Sequence, residues 1–341
     1  MQQSGGSVID LLDRLVAAVR GARQVLILPH NDPDPDAIAS AVALRELLAH
    51  IADVECRIAY RGIIGRAENQ ALVRYLDRPL HRLTAAALGE STPIALVDTQ
   101  PGAGNNALPA HATPAIVFDH HPWQKATGAA AFADVRADWG STATILTEYL
   151  QLAGVELSKP LATALFYGIK TDTSGLIRGA STADVTAYIY LQSRLDVKAL
   201  VEIERAQVPV DYFQQLDAAL HSAQVYDEVV LSFLGSMHRP DLAAELADLL
   251  LRLQGVQWAV CMGVYKQELI VSVRTRSRKG GAGRLIQQVV GDSGTAGGHG
   301  TMAAGHVPLR GSDPELLAHE LGRRMLQTLN VAEESGKPLM S

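Results

Sequence analysis

Gln24-Val25-Leu26-Ile27-Leu28-Pro29-His30-Asn31-Asp32-Pro33-Asp34-Pro35-Asp36-Ala37-Ile38 is the stretch on which the architecture turns. It opens with a short β-branched and aliphatic run that stops at a proline, and from Ile38 to Leu48 apolar residues recur at the 3.6-residue period. Strand, loop and helix therefore follow one another, as at the start of an α/β unit. Upstream, Ser7 is placed to cap a helix, with Asp10 three positions on and Leu11, Leu12, Leu15 and Val19 at helical spacing. Downstream, strands are expected near Val54 to Tyr60, Ile94 to Val97 and Ala115 to Phe118, with helical pattern between them at Glu68 to Leu76. Near-continuous apolar strands alternating with helices predict a mostly parallel sheet with helices on both faces.

From Ser141 to about Ala223 the pattern is helical, with Ser141 and Ser181 as caps and Gly154 as a terminator. Strands return at Val229 to Leu234, Val256 to Val264 and Glu268 to Thr275, the last two joined through Tyr265, Lys266 and Gln267 as in a hairpin. The expected organisation is a catalytic domain over 1–190, a helical connector over 191–225 and a smaller α+β domain over 226–335. A length of 341 residues fits two domains, and 48% apolar with 19% charged residues is the balance of a chain that folds. Cys56 and Cys261 stand far apart, which excludes a disulfide framework or a zinc knuckle. Asp10 and Asp13 interrupt the first apolar pattern, and no run approaches a membrane span, so a cytoplasmic protein without membrane partners is expected. A net charge of −6 argues against coating long duplex nucleic acid.

The chemistry is concentrated at strand ends. His30, Asp34 and Asp36 lie in the proline-stiffened loop after the first strand, where open α/β sheets bind ligands. Taken alone, that loop is explained by Asp36 as a helix cap and Asp34 as a turn former. Asp98 directly follows the strand Ile94 to Val97, Asp119-His120-His121 follows Ala115 to Phe118, and Asp172 closes a helical pattern. Strand ends of one parallel sheet share an edge, so these carboxylates would repel one another unless cations neutralised them. Oxygen-rich ligands with imidazole and no thiolate suit Mn²⁺, with Mg²⁺ or Fe²⁺ next. Six or seven candidates exceed one ion, and two ions about 3.5–4 Å apart are the arrangement that activates a water for in-line attack at phosphorus.

In the later part of the chain Arg274, Arg276, Arg278, Lys279 and Arg284 fall in a segment without acids, and lead to Ala296-Gly297-Gly298-His299-Gly300 and Ala303-Ala304-Gly305. A basic strand end is often only a solvated face, and a glycine cluster only a tight turn. Together they suggest a cradle for a terminal phosphate or carboxylate, with Arg274 and His299 as charge-assisted donors.

The ordered set His30-x-x-Pro33-Asp34-x-Asp36-Ala37-x-x-Ser40, Asp98, Asp119-His120-His121, Asp172 and Gly297-Gly298-His299 resembles the DHH phosphoesterase superfamily with its DHH-associated C-terminal domain. The resemblance spans nearly the whole chain and looks closest to the nanoRNase and 3′-phosphoadenosine-5′-phosphate phosphatase branch. It implies that His30 and Asp34 hold one Mn²⁺, that Asp36, His120 and Asp172 hold the other, and that Asp98 bridges them. It further implies that Asp119 orients the site, that His121 contacts phosphoryl oxygens or assists the leaving group, and that Arg274, Gly297, Gly298 and His299 bind substrate. Ala296, Met302, Ala304 and Ala39 depart from the family pattern and bear on substrate size. The implied enzyme is a metal-dependent phosphodiesterase or phosphatase with its active site in a cleft between the domains. Its substrate would be a short oligonucleotide, a linear or cyclic dinucleotide, or 3′-phosphoadenosine-5′-phosphate, and the family implies a homodimer. A non-catalytic nucleotide sensor is the main alternative, although no metal ligand is missing. A single-strand exonuclease would want a long basic groove with stacking aromatics, and aromatics are 5% of this chain.

Overall fold

The computed structural model describes residues 8–88, 92–277 and 279–340, together with the backbone but not the side chains of Val8, Ile9, Ala86 and His299. Ser7 and Arg278 lie outside the described residues. The chain divides into two compact units, Met1–Ala206 and Gln207–Ser341.

In the first unit α1 (Val8–Ala18) precedes β1 (Gln24–Pro29), α2 (Pro35–Ala52), β2 (Glu55–Tyr60), α3 (Ala67–Tyr75), β3 (Leu80–Arg82), β4 (Ile94–Val97), β5 (Ile116–Asp119) and β6 (Phe132–Val135). Four helices follow: α4 (Thr142–Leu152), α5 (Lys159–Asp172), α6 (Thr182–Gln192) and α7 (Val197–Glu204). All six strands are parallel, in the order β3-β2-β1-β4-β5-β6. The order reverses between β1 and β4, and that opens a crevice at the carboxyl ends of these two strands.

Helix α2 starts at Pro35, three residues earlier than its apolar period, because Asp34 caps it by accepting from Ala37 N at 3.0 Å and proline suits the first helical position. It is buried on nearly every side, from Pro35 through Leu44 and again at Leu47 and Leu48. Such a helix is a central pillar rather than an amphipathic cover. Ile27, Val97 and Phe118 of the sheet pack with it and with Leu146, Tyr149 and Leu165 from α4 and α5. The second sheet face places Leu26, Leu28, Leu96 and Val117 against Leu83, Leu88, Leu108 and Ala130 of the connecting segments. Those segments include short 3₁₀ turns at Ala85–Leu88 and Lys125–Ala129.

The second unit contains α8 (Val210–Ser222), β7 (Gln224–Tyr226), β8 (Val229–Ser236), α9 (Leu242–Leu250), β9 (Trp258–Tyr265) and β10 (Glu268–Thr275). It continues with α10 (Ala282–Val290), β11 (Thr295–His299), β12 (Met302–Pro308), α11 (Pro314–Thr328) and β13 (Lys337–Pro338). Its mixed sheet runs β11-β12-β10-β9-β8-β7-β13. Strands β9 and β10 form the hairpin expected from the sequence, turning at Lys266 with φ 55°. Alternate residues of β10 serve two cores: Leu269, Val271 and Val273 face α10 and α11, while Ile270 packs with α8 and α9. The glycine cluster forms edge strand β11 rather than a turn, with Gly298 paired to Ala303 of β12. A Cβ on Gly298, at φ +148°, would stand 2.4 Å from Ala303 Cα, so only glycine allows that pairing. No helix among the described residues is long and apolar enough to cross a membrane.

Candidate metal centre

Strands β1, β4 and β5 are neighbours, so their carboxyl ends bring together His30, Asp98, Asp119 and His120 at the reversal of strand order. Asp34 and Asp36 arrive on the first turn of α2, and Asp172 arrives as the last residue of α5. The approach of α5 depends on Gly168, where a Cβ would lie 3.1 Å from Asp36 Cα and 3.3 Å from Asp36 Oδ1. Gly168 and Asp172 are four residues apart on one helix face, so the close crossing at the first delivers the second.

Asp98 occupies the middle. Its backbone is left-handed, at φ 60°, which aspartate tolerates better than most residues, and such strain is sustained where the surroundings over-determine it. Its carboxylate is split between two histidines, with Oδ2 3.5 Å from His30 Nε2 and Oδ1 3.5 Å from His120 Nε2. His30 Nε2 is also 3.6 Å from Asp34 Oδ1, and His120 Nε2 is 3.0 Å from Asp172 Oδ2. Three sets therefore present ligand atoms within 4.8 Å of one another: His30, Asp34 and Asp98; Asp36, His120 and Asp172; and Asp98, His120 and His121.

Both central imidazoles are set for a cation. His30 Nδ1 lies 2.8 Å from the carbonyl of Asn31, and His120 Nδ1 lies 3.2 Å from the carbonyl of Trp139. Carbonyls only accept, so each Nδ1 carries a proton and each Nε2 faces carboxylate oxygens, where a neutral ring would present its lone pair. His120 Nε2 is buried and makes no hydrogen bond. A lone pair facing carboxylates is repulsive unless a positive charge lies between them, and oxygen and imidazole donors without thiolate suit Mn²⁺, Mg²⁺ or Fe²⁺.

The electrostatics of the protein alone carry the same strain. Burial would lower the His30 pKa, but the Asp34 carboxylate 3.6 Å away, then the charge of Asp98, raise it to about 10. His120 is likewise driven up against the effect of burial, by Asp172 and Asp98. Asp98 is pushed up to about 6, chiefly by burial, which outweighs the attraction of His120 and His121. Asp36 is raised by burial and by the charges of Asp98 and Asp172. Burial would raise the Asp34 pKa too, yet the neighbouring His30 holds it down to about 2. Protons on imidazoles here substitute for the charge that divalent ions would supply.

Asp119 faces away from this set. Its Oδ1 accepts from His121 Nδ1 at 2.8 Å and from His120 N at 2.9 Å, and its Oδ2 accepts from Gln100 Nε2 at 2.6 Å. His121 is thereby oriented with its ring one-third exposed and Nδ1 3.8 Å from Asp98 Oδ1. In the second unit Arg274 is only 9% exposed; its Nε donates to Asp248 Oδ1 at 2.7 Å and its Nη1 to Ser272 Oγ and the Val273 carbonyl. Gly297 and Gly298 lie on β11 with the backbone of His299, whose side chain is outside the described residues.

Several residues of the site escape sequence reasoning. The segment from Trp139 to Ala143, at the start of α4, reaches three ligands. The Trp139 carbonyl holds His120; Thr142 N and Ala143 N donate to Asp36 at 2.8 and 2.7 Å; Thr142 Oγ1 donates to Asp98 Oδ1 at 2.9 Å. Asp36 thus meets the N-terminal dipole of α4; its Oδ1 also accepts from Ser40 Oγ at 3.4 Å, and its Oδ2 keeps a second lone pair. The segment is anchored by fully buried Asp184, which accepts from Gly140 N, Thr144 Oγ1, Ser181 N and Ser181 Oγ. Threonine at a helix start and an aspartate in a capping box are too common to flag. Only their partners reveal them.

Parallel strands with carboxylates and imidazoles converging at a reversal of strand order define an α/β domain with a side-chain cluster that could hold a metal ion. Residues 24–169 match the profile of the DHH family, N-terminal domain. An uncharacterized protein of Methanocaldococcus jannaschii is 35% identical over 320 residues, which is 91% of this chain and 65% of the relative. The chain thus spans just under two thirds of that relative's length. The crystal structure of an exopolyphosphatase-related protein from Bacteroides fragilis has a similar fold, with a TM-score of 0.71 at 15% identity, covering 94% of this chain and 96% of that one.

Proposed function

We propose that this protein is a two-metal phosphoesterase that uses Mn²⁺ and acts on short nucleotides. The observation that carries the reading is the division of the Asp98 carboxylate, one oxygen towards the His30 and Asp34 set and the other towards the His120 and Asp172 set. His30, Asp34 and Asp98 would hold one ion, and Asp36, Asp98, His120 and Asp172 the other. Bound there, the ions would supply an activated water and neutralise charge building on the phosphoryl oxygens. His121, oriented through Nδ1 by Asp119, is suited to meet the phosphoryl oxygens or to pass a proton to the leaving group. Arg274, Gly297, Gly298 and His299 are proposed to bind substrate, with the Arg274 guanidinium already held by Asp248.

Within this class we favour the nanoRNase and 3′-phosphoadenosine-5′-phosphate phosphatase type of activity. The experiment is a panel of two- to five-residue RNAs, linear and cyclic dinucleotides and 3′-phosphoadenosine-5′-phosphate, each with metal-stripped protein reloaded with Mn²⁺. Turnover of at least one member, lost on chelation, supports the reading. Tight Mn²⁺-dependent binding without turnover would favour a nucleotide sensor instead.

A further inference from the structure

The chain has three tryptophans, and they are mounted in different ways. Trp139 packs into the first core with the Arg136 guanidinium 4.2 Å above its ring, and Trp258 packs against the core of the second unit. Trp123 is 51% exposed, two residues after His121. A single exposed apolar side chain requires no ligand on its own. The attachment of this one to the rest of the site gives it a role.

Gln100, 1% exposed, holds the backbone on both sides of Trp123. Its Nε2 donates to the carbonyls of His121 at 3.3 Å and Pro122 at 3.2 Å, and its Oε1 accepts from Gln124 N at 2.8 Å and Thr127 Oγ1 at 2.9 Å. The same Nε2 donates to Asp119 Oδ2 at 2.6 Å, and Asp119 holds His121 Nδ1. Pro122 fixes φ immediately before the tryptophan. The Gln100 backbone is itself held by Asn106 Nδ2 at 2.8 Å. One buried amide therefore ties the indole-bearing backbone and the imidazole of His121 to a common mount. A solvated turn needs no such mount. Two residues of chain reach at most ~7 Å, so the Trp123 Cα lies within that distance of the His121 Cα.

We propose that Trp123 is a stacking platform for a nucleobase of the substrate, which makes the preferred substrate base-bearing rather than a bare phosphate chain. The proposal rests on the phosphoesterase reading and adds the base as a recognised element. An indole face stacks on any base, so the platform confers preference for nucleotides without preference for sequence. Its immobile mount limits the ordering cost of binding.

The test compares Trp123→Ala and Trp123→Phe with the wild-type holoenzyme on a linear dinucleotide and on the same sugar-phosphate backbone lacking bases. Trp123→Ala is expected to lower kcat/KM on the dinucleotide by roughly five- to a hundredfold. The loss on the abasic backbone is expected to be at least fivefold smaller, and Trp123→Phe should recover most of the loss. Titration with adenosine 5′-monophosphate should quench the tryptophan fluorescence of the wild type, and the quench should vanish in Trp123→Phe while Trp139 and Trp258 remain. Equal losses on both substrates, or a quench that survives Trp123→Phe, would overturn the platform. If the wild type hydrolyses neither substrate, the phosphoesterase reading fails, and the adenosine 5′-monophosphate titration still decides whether a base stacks on Trp123.

Discussion

Thr142 donates its hydroxyl to Asp98 Oδ1 at 2.9 Å while its backbone N–H donates to Asp36 Oδ2 at 2.8 Å, so one residue sets the orientation of the shared carboxylate relative to a ligand of one ion set. Both carboxylates are buried. Thr142→Val keeps the shape and the backbone bond but removes the hydroxyl. We expect Mn²⁺ affinity to fall by roughly ten- to a hundredfold, as for other groups that orient metal ligands, and Thr142→Ser to restore it. Calorimetric titration of the metal-stripped variants reads this directly, and unchanged affinity in Thr142→Val would remove Thr142 from the site.

Gly168→Ala tests the helix crossing. In most helix interiors this change stabilises by up to about 1 kcal/mol. Here the new methyl would lie 3.1 Å from Asp36 Cα and 3.3 Å from the Pro35 carbonyl, both backbone atoms that cannot swing aside. A net loss of about 1–3 kcal/mol and weaker Mn²⁺ binding are expected. A rise in Tm with intact metal affinity would show that the crossing has slack.

The pH dependence of the metal-free protein follows from the raised groups. His30 at about 10, above its ordinary 6.5, contributes stability that is present below pH 6.5 and lost as pH rises towards 10. Asp98 at about 6, above 3.8, contributes stability that is present below pH 3.8 and lost as pH rises through 6. Asp34, held down to about 2, acts in the opposite sense, but only as pH falls below 3.8. Chelated protein should therefore lose Tm from pH 5 to 8.5, while Mn²⁺, which binds the deprotonated ligands, stabilises more as pH rises. Thermal melts with Mn²⁺ or chelator should show a gap that widens with pH. A gap that narrows would contradict the ligand assignment.

Arg274 has a double burden. Its side chain is nearly buried and bonded to Asp248, Ser272 and Val273, so Arg274→Ala is expected to destabilise the protein by about 1.5–3 kcal/mol as well as to weaken substrate binding. Asp248→Ala removes the partner and leaves the guanidinium in place. If Arg274 binds an anionic substrate, kcat/KM for the short nucleotide should hold or rise in Asp248→Ala and fall tenfold or more in Arg274→Ala. Parallel falls in both variants would assign the pair to folding.

Much of this was legible in the sequence because the ligands sit where two strong signals meet. The runs Val25 to Leu28, Ile94 to Val97 and Ile116 to Phe118 read as buried strands, and His30, Asp98 and Asp119-His120-His121 stand directly at their ends. The weaker elements were not legible. Strand β3 buries Leu80 alone of its three residues, and β6 carries Asp134, whose charge is met by Arg136 two residues on and by the Tyr149 hydroxyl from α4. Thr142, Gln100 and Asp184 act through partners 44, 19 and 44 residues distant, at Asp98, Asp119 and Gly140 respectively, and no local pattern encodes such pairs. That the glycine cluster forms a strand is not legible either, because composition does not show that Gly298 is needed for close pairing with Ala303.

The central claim is that one carboxylate, Asp98, serves two ions. Metal-stripped protein titrated with Mn²⁺ and followed by electron paramagnetic resonance tests it. The account predicts two Mn²⁺ per chain with a spectrum showing magnetic coupling between them, and loss of that coupling in Asp98→Asn while the protein remains folded. A single uncoupled ion in the wild type, or coupling unchanged in Asp98→Asn, would contradict it.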